Sequence, residues 1–184
     1  MLRSGVEIQN VVASVSFDQQ LDLETISRTL PTAKYNPEEF PGVIYHARKP
    51  KASMLIFSSG KIVCSGMKSE RQAKRAASNI AYELKNNGIV LIREPFVEIE
   101  NIVASADLGV KLSLEDLAYT LEGTFYDPEQ FPGLIYRLRE PKATFIIFTT
   151  GKVVCTGVRR KRDALKALEV LKASLKSKNL LYEP

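Results

Sequence analysis

The 184-residue sequence predicts an α+β fold made of two copies of one unit, and three observations carry that prediction. The chain repeats itself at a shift of 91. VEIQNVVAS at 6–14 returns as VEIENIVAS at 97–105, YNPEEFPGVIYHARKPKA at 35–52 as YDPEQFPGLIYRLREPKA at 126–143, and IFSSGKIVCSG at 56–66 as IFTTGKVVCTG at 147–157. Aligning 6–91 with 97–182 without a gap gives 36 identities in 86 positions, 19 of them in the 32 residues of 35–66, which chance cannot supply. Within each copy, stretches alternating every second residue are interleaved with stretches of helical spacing, in the order strand, short helix, loop, three strands, long helix. About ten strands and four helices result. Finally, 45% apolar and 26% charged residues suffice for a hydrophobic core without disulfide or metal staples.

The first strand of each copy, about 6–17 and 97–108, is rich in β-branched residues. LDLETISRTL and LSLEDLAYTL have helical spacing, with Asp22 and Ser113 as N-caps. Segments 42–49, 52–58 and 61–66 and their equivalents read as three strands, with SSGK and TTGK as tight turns. Residues 69–85 place Ala73, Ala76, Ala77, Ile80, Ala81 and Leu84 on one helical face, and 159–177 do the same with Ala164, Ala167, Leu168, Leu171 and Leu175. No Gly/Ser-rich or Pro-rich linker separates the copies, 1–91 and 92–184. Residues 89–97, IVLIREPFV, are apolar enough for a strand with Pro95 at an edge or bulge, so the halves are expected to be rigidly fused.

Two cysteines and one histidine exclude any site needing three or four Cys/His ligands, leaving only a carboxylate metal site formally open. The N-terminal residues lack the apolar run of a signal peptide, and the longest aliphatic stretch falls far short of the roughly 20 residues that span a bilayer, so an intracellular, soluble protein without membrane association is expected. The 26 basic and 21 acidic residues give a net charge of +5, which favours polyanionic partners. The excess lies in residues 1–91, with twelve basic and eight acidic side chains, against fourteen and thirteen in 92–184. No catalytic constellation emerges. His46 has no counterpart in the second copy, SSGK lacks the spacing of a phosphate-binding loop, and Glu38/Glu39 and Glu115/Asp116 read as solvated pairs. Neither an enzyme nor a cofactor is expected.

Strand alternation sorts the side chains into two faces. Met54, Ile56, Ile62 and Cys64 oppose Leu55, Phe57, Val63 and Ser65; Phe145, Ile147, Val153 and Cys155 oppose Ile146, Phe148, Val154 and Thr156; Val11, Ala13 and Val15 oppose Ile8, Asn10 and Val12. Both faces are largely apolar, yet four helices, two of them short, are few for covering both. Either the second face closes a two-layer core or a sheet-to-sheet homodimer, or it is a binding surface. Cys64 and Cys155 read as core residues. Phe40 and Phe131, with Phe57 and Phe148, make four symmetric aromatics.

QNVVASV and ENIVASA, YNPEEFPGVIY and YDPEQFPGLIY, and LIFSSGKIVCSG and IIFTTGKVVCTG together resemble the conserved two-repeat core of the TATA-box-binding protein family in its short, archaeal-like form, over about residues 5–178. The resemblance implies a pseudo-two-fold saddle, a curved ten-stranded antiparallel sheet with four helices on its convex face and a concave face that binds the minor groove. It implies a general transcription initiation factor that binds and bends TATA-box promoter DNA. Phe40 with Phe57 and Phe131 with Phe148 match the family's wedge pairs. Asn10, Asn101, Val12, Val103, Val63, Val154, Ser65, Thr156, Leu55, Ile146, Pro41 and Pro132 match its base-edge contacts, and His46, Arg48, Lys61, Lys68, Arg137, Arg139, Lys152 and Arg159 its phosphate contacts. Transcription factor B is the implied partner, at the loop holding Glu129 and Gln130, on the way to an RNA polymerase pre-initiation complex; a homodimer when free of DNA is a further implication. Localisation is expected to be cytoplasmic and nucleoid-associated, or nuclear in a eukaryote.

Departures from the family pattern are His46 opposite Arg137 and the C-terminal KSKNLLYEP, which lacks the acidic tail of some relatives. The two halves present so nearly the same surface that orientation on a near-palindromic site should be poorly set by this chain alone. Two other readings stay open, a saddle-fold DNA-binding module of a repair or nuclease system and a homodimeric scaffold.

Overall fold

The elements run β1 (Glu7–Ser16), α1 (Leu23–Thr29), β2 (Val43–Arg48), β3 (Lys51–Ile56), β4 (Lys61–Met67), α2 (Glu70–Asn86), β5 (Phe96–Asp107), α3 (Leu114–Thr120), β6 (Thr124–Phe125), β7 (Leu134–Arg139), β8 (Lys142–Ile147), β9 (Lys152–Val158) and α4 (Lys161–Ser177) in a computed structural model that describes residues 5–181. They divide into two compact units. One is Asn10–Glu100; the other takes the described residues on either side of it. In the first unit the strands lie in the order β2-β3-β4-β1, in the second β6-β7-β8-β9-β5, and every ladder given a register within a unit is antiparallel.

Nine strands are formed among the described residues, and the tenth expected strand is reduced to a single bridge, Lys34 to Ile44. The second copy extends this pairing because Gly123, at φ +77, turns its carbonyl toward the Arg137 N–H at 3.0 Å. The corresponding residue of the first copy is Thr32, a β-branched residue at φ +65, and there the ladder stops.

Local chemistry explains the helices. The Asp22 carboxylate accepts from the Thr25 amide at 3.3 Å and from its hydroxyl at 2.9 Å, which holds the Asp22 carboxyl below its ordinary range. Ser113 caps α3 through the Asp116 amide, and Ser69 caps α2 through the Gln72 amide. The six apolar positions expected on α2 are its buried residues, and the five on α4 are buried too. Lys172 joins them. Its alkyl stem is buried while its ammonium reaches Glu169 at 3.2 Å, a snorkelling arrangement that hydrophobic spacing does not reveal.

The expected strand over 89–97 is corrected: pairing begins at Phe96, and 89–95 carry no strand. One side chain supplies the hydrogen bonds that a ladder would have given. Gln19 donates through Nε2 to the Val90 carbonyl and accepts through Oε1 from the Ile92 amide, both at 2.8 Å. Val90 and Ile92 stay about four-fifths exposed, at 79% and 78%, so their apolar character leads to no burial. The expected C-terminal segment lies partly outside the described residues.

The SSGK and TTGK turns are closed by Gly60 and Gly151, at φ +91 and +89. Their carbonyls accept from the Phe17 and Leu108 amides, tying each turn to the end of its first strand. A Cβ at Gly60 would lie 2.0 Å from the Gln19 carbonyl oxygen, and one at Gly151 2.0 Å from that of Val110. Gly60→Ala and Gly151→Ala are each expected to cost at least about 2 kcal/mol, from the left-handed backbone plus the displaced carbonyl. Chemical denaturation checks this; a loss below about 0.5 kcal/mol for either would mean that the turn rearranges freely.

Candidate nucleic-acid interface

The two faces separate as alternation demands. Met54, Ile56, Ile62 and Cys64, and Phe145, Ile147, Val153 and Cys155, are buried on the side that carries the helices. Burial pushes the Cys64 thiol up to about 12 and the Cys155 thiol to about 11, so both stay protonated core groups, as expected. On the other side Leu55, Phe57, Val63, Ser65, Ile146, Phe148, Val154 and Thr156 are only half-buried.

Register assembles this open face into rows. In the first unit Ile44, Leu55, Val63 and Ser14 are cross-strand neighbours, followed by His46, Ser53 and Ser65. In the second, Phe125, Ile135, Ile146, Val154 and Ser105 form the matching row, followed by Arg137, Thr144 and Thr156. Val12 and Val103 are half-buried on the first strand of each copy. A face so apolar, with few hydroxyls, suits a partner that offers shape and a sparse hydrogen-bond pattern.

The phenylalanines do pair. Phe40 and Phe57 have ring centroids 5.8 Å apart, and Phe131 and Phe148 6.2 Å, both tilted or edge-on. Each pair stands over the glycine of its Pro-Gly step. A Cβ on Gly42 would meet Phe40 at 2.9 Å and Phe57 at 3.1 Å, and one on Gly133 would meet Phe131 at 2.8 Å and Phe148 at 3.1 Å. Phe131 remains 44% exposed, and Pro41 and Pro132 are exposed beside the pairs.

Asn10 and Asn101 are held by a β-bulge. Between Ala13↔Cys64 and Val11↔Met67, β4 carries one residue more than β1, and Ala104↔Cys155 with Ile102↔Val158 repeats this. The freed amide of Gly66 donates to Asn10 Oδ1 at 2.6 Å, and that of Gly157 to Asn101 Oδ1 at 2.9 Å. Fixing the amide oxygen fixes the flip, so Nδ2 presents donors. Asn101 Nδ2 donates to Thr156 Oγ1 at 3.1 Å, whereas Asn10 Nδ2 has no partner among the described residues.

Arg48, Lys61, Lys68, Arg137, Arg139, Lys152 and Arg159 are all exposed, as is His46, whose Nδ1 lies 3.2 Å from the Ser53 hydroxyl. None of Arg48, Lys61, Arg137, Arg139, Lys152 or Arg159 has an ion-pair partner among the described residues. Glu129 and Gln130 are exposed in a turn closed by the Phe131 amide on the Asp127 carbonyl at 3.0 Å, and the first copy builds the same turn from Asn36 and Phe40. Among the described residues no group of three or more His, Cys, Asp or Glu side chains could hold a metal ion.

Two polar pairs escaped the sequence reading. Ser14 donates to Glu100 Oε1, and Gln9 Nε2 donates to Ser105 Oγ, both at 2.8 Å. Gln9 and Glu100 are one repeat apart, so the signal was the single Gln/Glu mismatch inside the otherwise matching VEIQN and VEIEN. The open face is therefore less alike in its two copies than expected.

A sheet in each unit, backed by helices on one side and open and apolar on the other, is the architecture of an α+β protein with one uncovered sheet face. The family model described as transcription factor TFIID (or TATA-binding protein, TBP) matches residues 5–87 and again 96–178. The TATA-box-binding protein of Pyrococcus furiosus is 44% identical over 183 residues, covering 100% of this chain and 96% of that one; that of Pyrodictium occultum is 48% identical over 169 residues, covering 92% and 85%. The solved structure of Methanococcus jannaschii TBP superposes with a TM-score of 0.88 at 45% identity, covering 94% of this chain and 98% of its own. The chain belongs to the TATA-binding protein family of transcription factors, and the expected α+β class of antiparallel strands with four helices stands with it.

The bulge geometry makes a stability prediction. Asn10→Ala or Asn101→Ala removes the acceptor of the Gly66 or Gly157 amide and is expected to cost about 1 kcal/mol in chemical denaturation. Asn10→Asp, which keeps that acceptor, should cost less; equal losses from Asp and Ala would show that the amide bond carries none of the effect.

Proposed function

We propose that this chain is a general transcription initiation factor that binds and bends TATA-type promoter DNA through the minor groove, without catalysis, and then recruits transcription factor B toward an RNA polymerase pre-initiation complex. The observation that carries this reading is the open face: a half-buried apolar surface whose few polar groups are pre-set donors. The minor groove of A·T pairs presents only the acceptors A N3 and T O2, whereas G·C adds the guanine amino donor. Asn10 and Asn101, their oxygens already occupied, offer amide hydrogens to those acceptors and clash donor to donor with guanine. Val12, Val63, Val103 and Val154 pack on the groove floor, Leu55, Ile146, Pro41 and Pro132 beside the wedges, and Ser65 and Thr156 add hydroxyls.

Phe40 with Phe57 and Phe131 with Phe148 act as wedges. Aromatic contact replaces base stacking at the entered step, a mechanism of which this family is itself the type example. Arg48, Lys61, Lys68, Arg137, Arg139, Lys152 and Arg159 neutralise phosphates along the groove, and His46 contacts a phosphate where the second copy has Arg137. Free of DNA, the same apolar face is available for self-association into a homodimer. The relatives named above are archaeal, which supports a location with the cytoplasmic nucleoid.

Replacing Phe57 and Phe148 together with alanine should reduce the bend, read by fluorescence transfer across an end-labelled TATA duplex, while thermal melting stays cooperative. An unchanged bend would defeat the wedge assignment, and loss of folding would return both rings to the core. For the same duplex, Asn10→Asp and Asn101→Asp should reduce discrimination against a central G·C pair by about 1 to 3 kcal/mol for each asparagine in competition binding; a retained wild-type ratio would remove the asparagines from base reading.

Transcription factor B docks on the turn before Phe131, where Glu129 and Gln130 are exposed beside Phe125 and Glu122; the first copy has Glu38 and Glu39 beside Lys34 and Pro31. A basic partner surface would be steered to Glu129. Glu129→Arg should leave binary TATA binding nearly intact and weaken ternary complex formation in a gel-shift titration of the B factor, with a much smaller effect from Glu38→Arg. Equal effects from the two reversals would move the partner elsewhere.

A further inference from the structure

One strongly charged surface has no role in the proposed function beyond its first residue. Arg159, Arg160, Lys161 and Arg162 are four consecutive exposed cations at the junction of β9 and α4. None of them has a carboxylate partner within ion-pairing distance among the described residues. One repeat earlier the same junction holds Lys68, Ser69, Glu70 and Arg71, so the second copy carries +4 where the first carries +1.

Local stability does not account for the substitution, because it breaks two rules at once. Ser69 caps α2 by accepting from the Gln72 amide at 3.1 Å, whereas Arg160 caps α4 with no side-chain hydrogen bond. Lys161 also puts a cation at the positive end of a 17-residue helix where the first copy has Glu70, leaving Asp163 as the acid of that first turn. Residues that locally destabilise an otherwise consistent element point to a function outside it.

The cluster adjoins the candidate interface. Val158 is buried against the helix side and pairs with Ile102, and the Gly157 amide just before it is the donor that sets Asn101. The chain therefore passes directly from the open face to Arg159 and on to Arg160–Arg162. Guanidinium groups with no internal carboxylate, at the rim of a surface meant for a duplex, match phosphate in geometry and charge.

We propose that Arg160, Lys161 and Arg162 continue from Arg159 as a phosphate-binding rim that engages the backbone of duplex DNA beyond the contacts of the open face, and more strongly on the second copy, where Arg160 and Lys161 stand in place of Ser69 and Glu70. The inference rests on the proposed TATA binding. It makes the second half of the protein more tightly and more salt-sensitively held than the first, so the two halves differ in grip although their base-reading surfaces are similar.

The test is the salt dependence of binding to a long TATA duplex, for the wild type, Arg160→Ser and the triple replacement Arg160→Ser, Lys161→Gln and Arg162→Gln. The slope of log K against log salt should fall in magnitude by about 1 for the single variant and about 2 to 3 for the triple one, roughly 1 for each phosphate no longer neutralised. Affinity should drop by a similar factor for TATA and unrelated duplexes, with the bend unchanged. Arg160→Ser should also raise the melting temperature, since serine restores the cap that Ser69 gives α2. Unchanged slopes with TATA binding and bending intact would overturn the proposal and leave the cluster to an acidic protein surface. Variants melting below the wild type would overturn it as well, by making the cluster structural. A wild type that neither binds nor bends the TATA duplex would instead refute the proposed function.

Discussion

Helices cover one side of the sheet in each unit, and the side chains of the other side are nearly as apolar as those they cover. Burying Met54, Ile56, Ile62 and Cys64 beneath α2 leaves Leu55, Phe57 and Val63 half-buried on the reverse of the same strands. Pleating allows no alternative, because consecutive side chains must point to opposite faces. A strand that reads as apolar throughout therefore exposes apolar surface wherever only one covering layer exists, and the whole functional reading of this chain depends on that exposed surface having a partner.

The bulges at Gly66 and Gly157 tie that surface to the core. Each inserts one residue into a strand whose next position, Met67 or Val158, is again buried, so the strand can leave the sheet toward its long helix without losing the alternation that precedes it. The amide freed by the extra residue would be costly if unpaired. Asn10 and Asn101 satisfy it through Oδ1, which leaves Nδ2 as the donor end of each side chain, directed in Asn101 to Thr156. A hydrogen-bonding requirement of the backbone thus sets the orientation of the two side chains that the proposed function uses to read A·T pairs.

The duplication is close, and several of its departures change local chemistry. Gln9 against Glu100, Thr32 against Gly123 and Ser69 against Arg160 each alter hydrogen bonding, backbone conformation or charge, while the buried alternation of the strands is kept. Core exchanges between the copies are apolar for apolar at Met54 against Phe145, Phe17 against Leu108 and Ile62 against Val153, whereas Ala81 against Lys172 brings a charged side chain whose stem is buried.

The sequence by itself determined the duplication, the order of elements, the helix caps at Asp22 and Ser113, the apolar faces of α2 and α4 and the two faces of the strands, because all of these follow from periodicities and local hydrogen bonding within a few residues. Tertiary structure alone decided the rest. IVLIREP reads as strand by its apolar content, but Gln19, some seventy residues earlier, takes its amide and carbonyl groups and leaves it unladdered. The reduction of the tenth strand to the Lys34–Ile44 bridge goes with the backbone angle at Thr32, and the buried stem of Lys172 depends on what packs over it. The aim of Asn10 depends on an amide 56 residues away. Such contacts join residues distant in the chain, and a pattern read along the chain holds no record of which distant groups will meet.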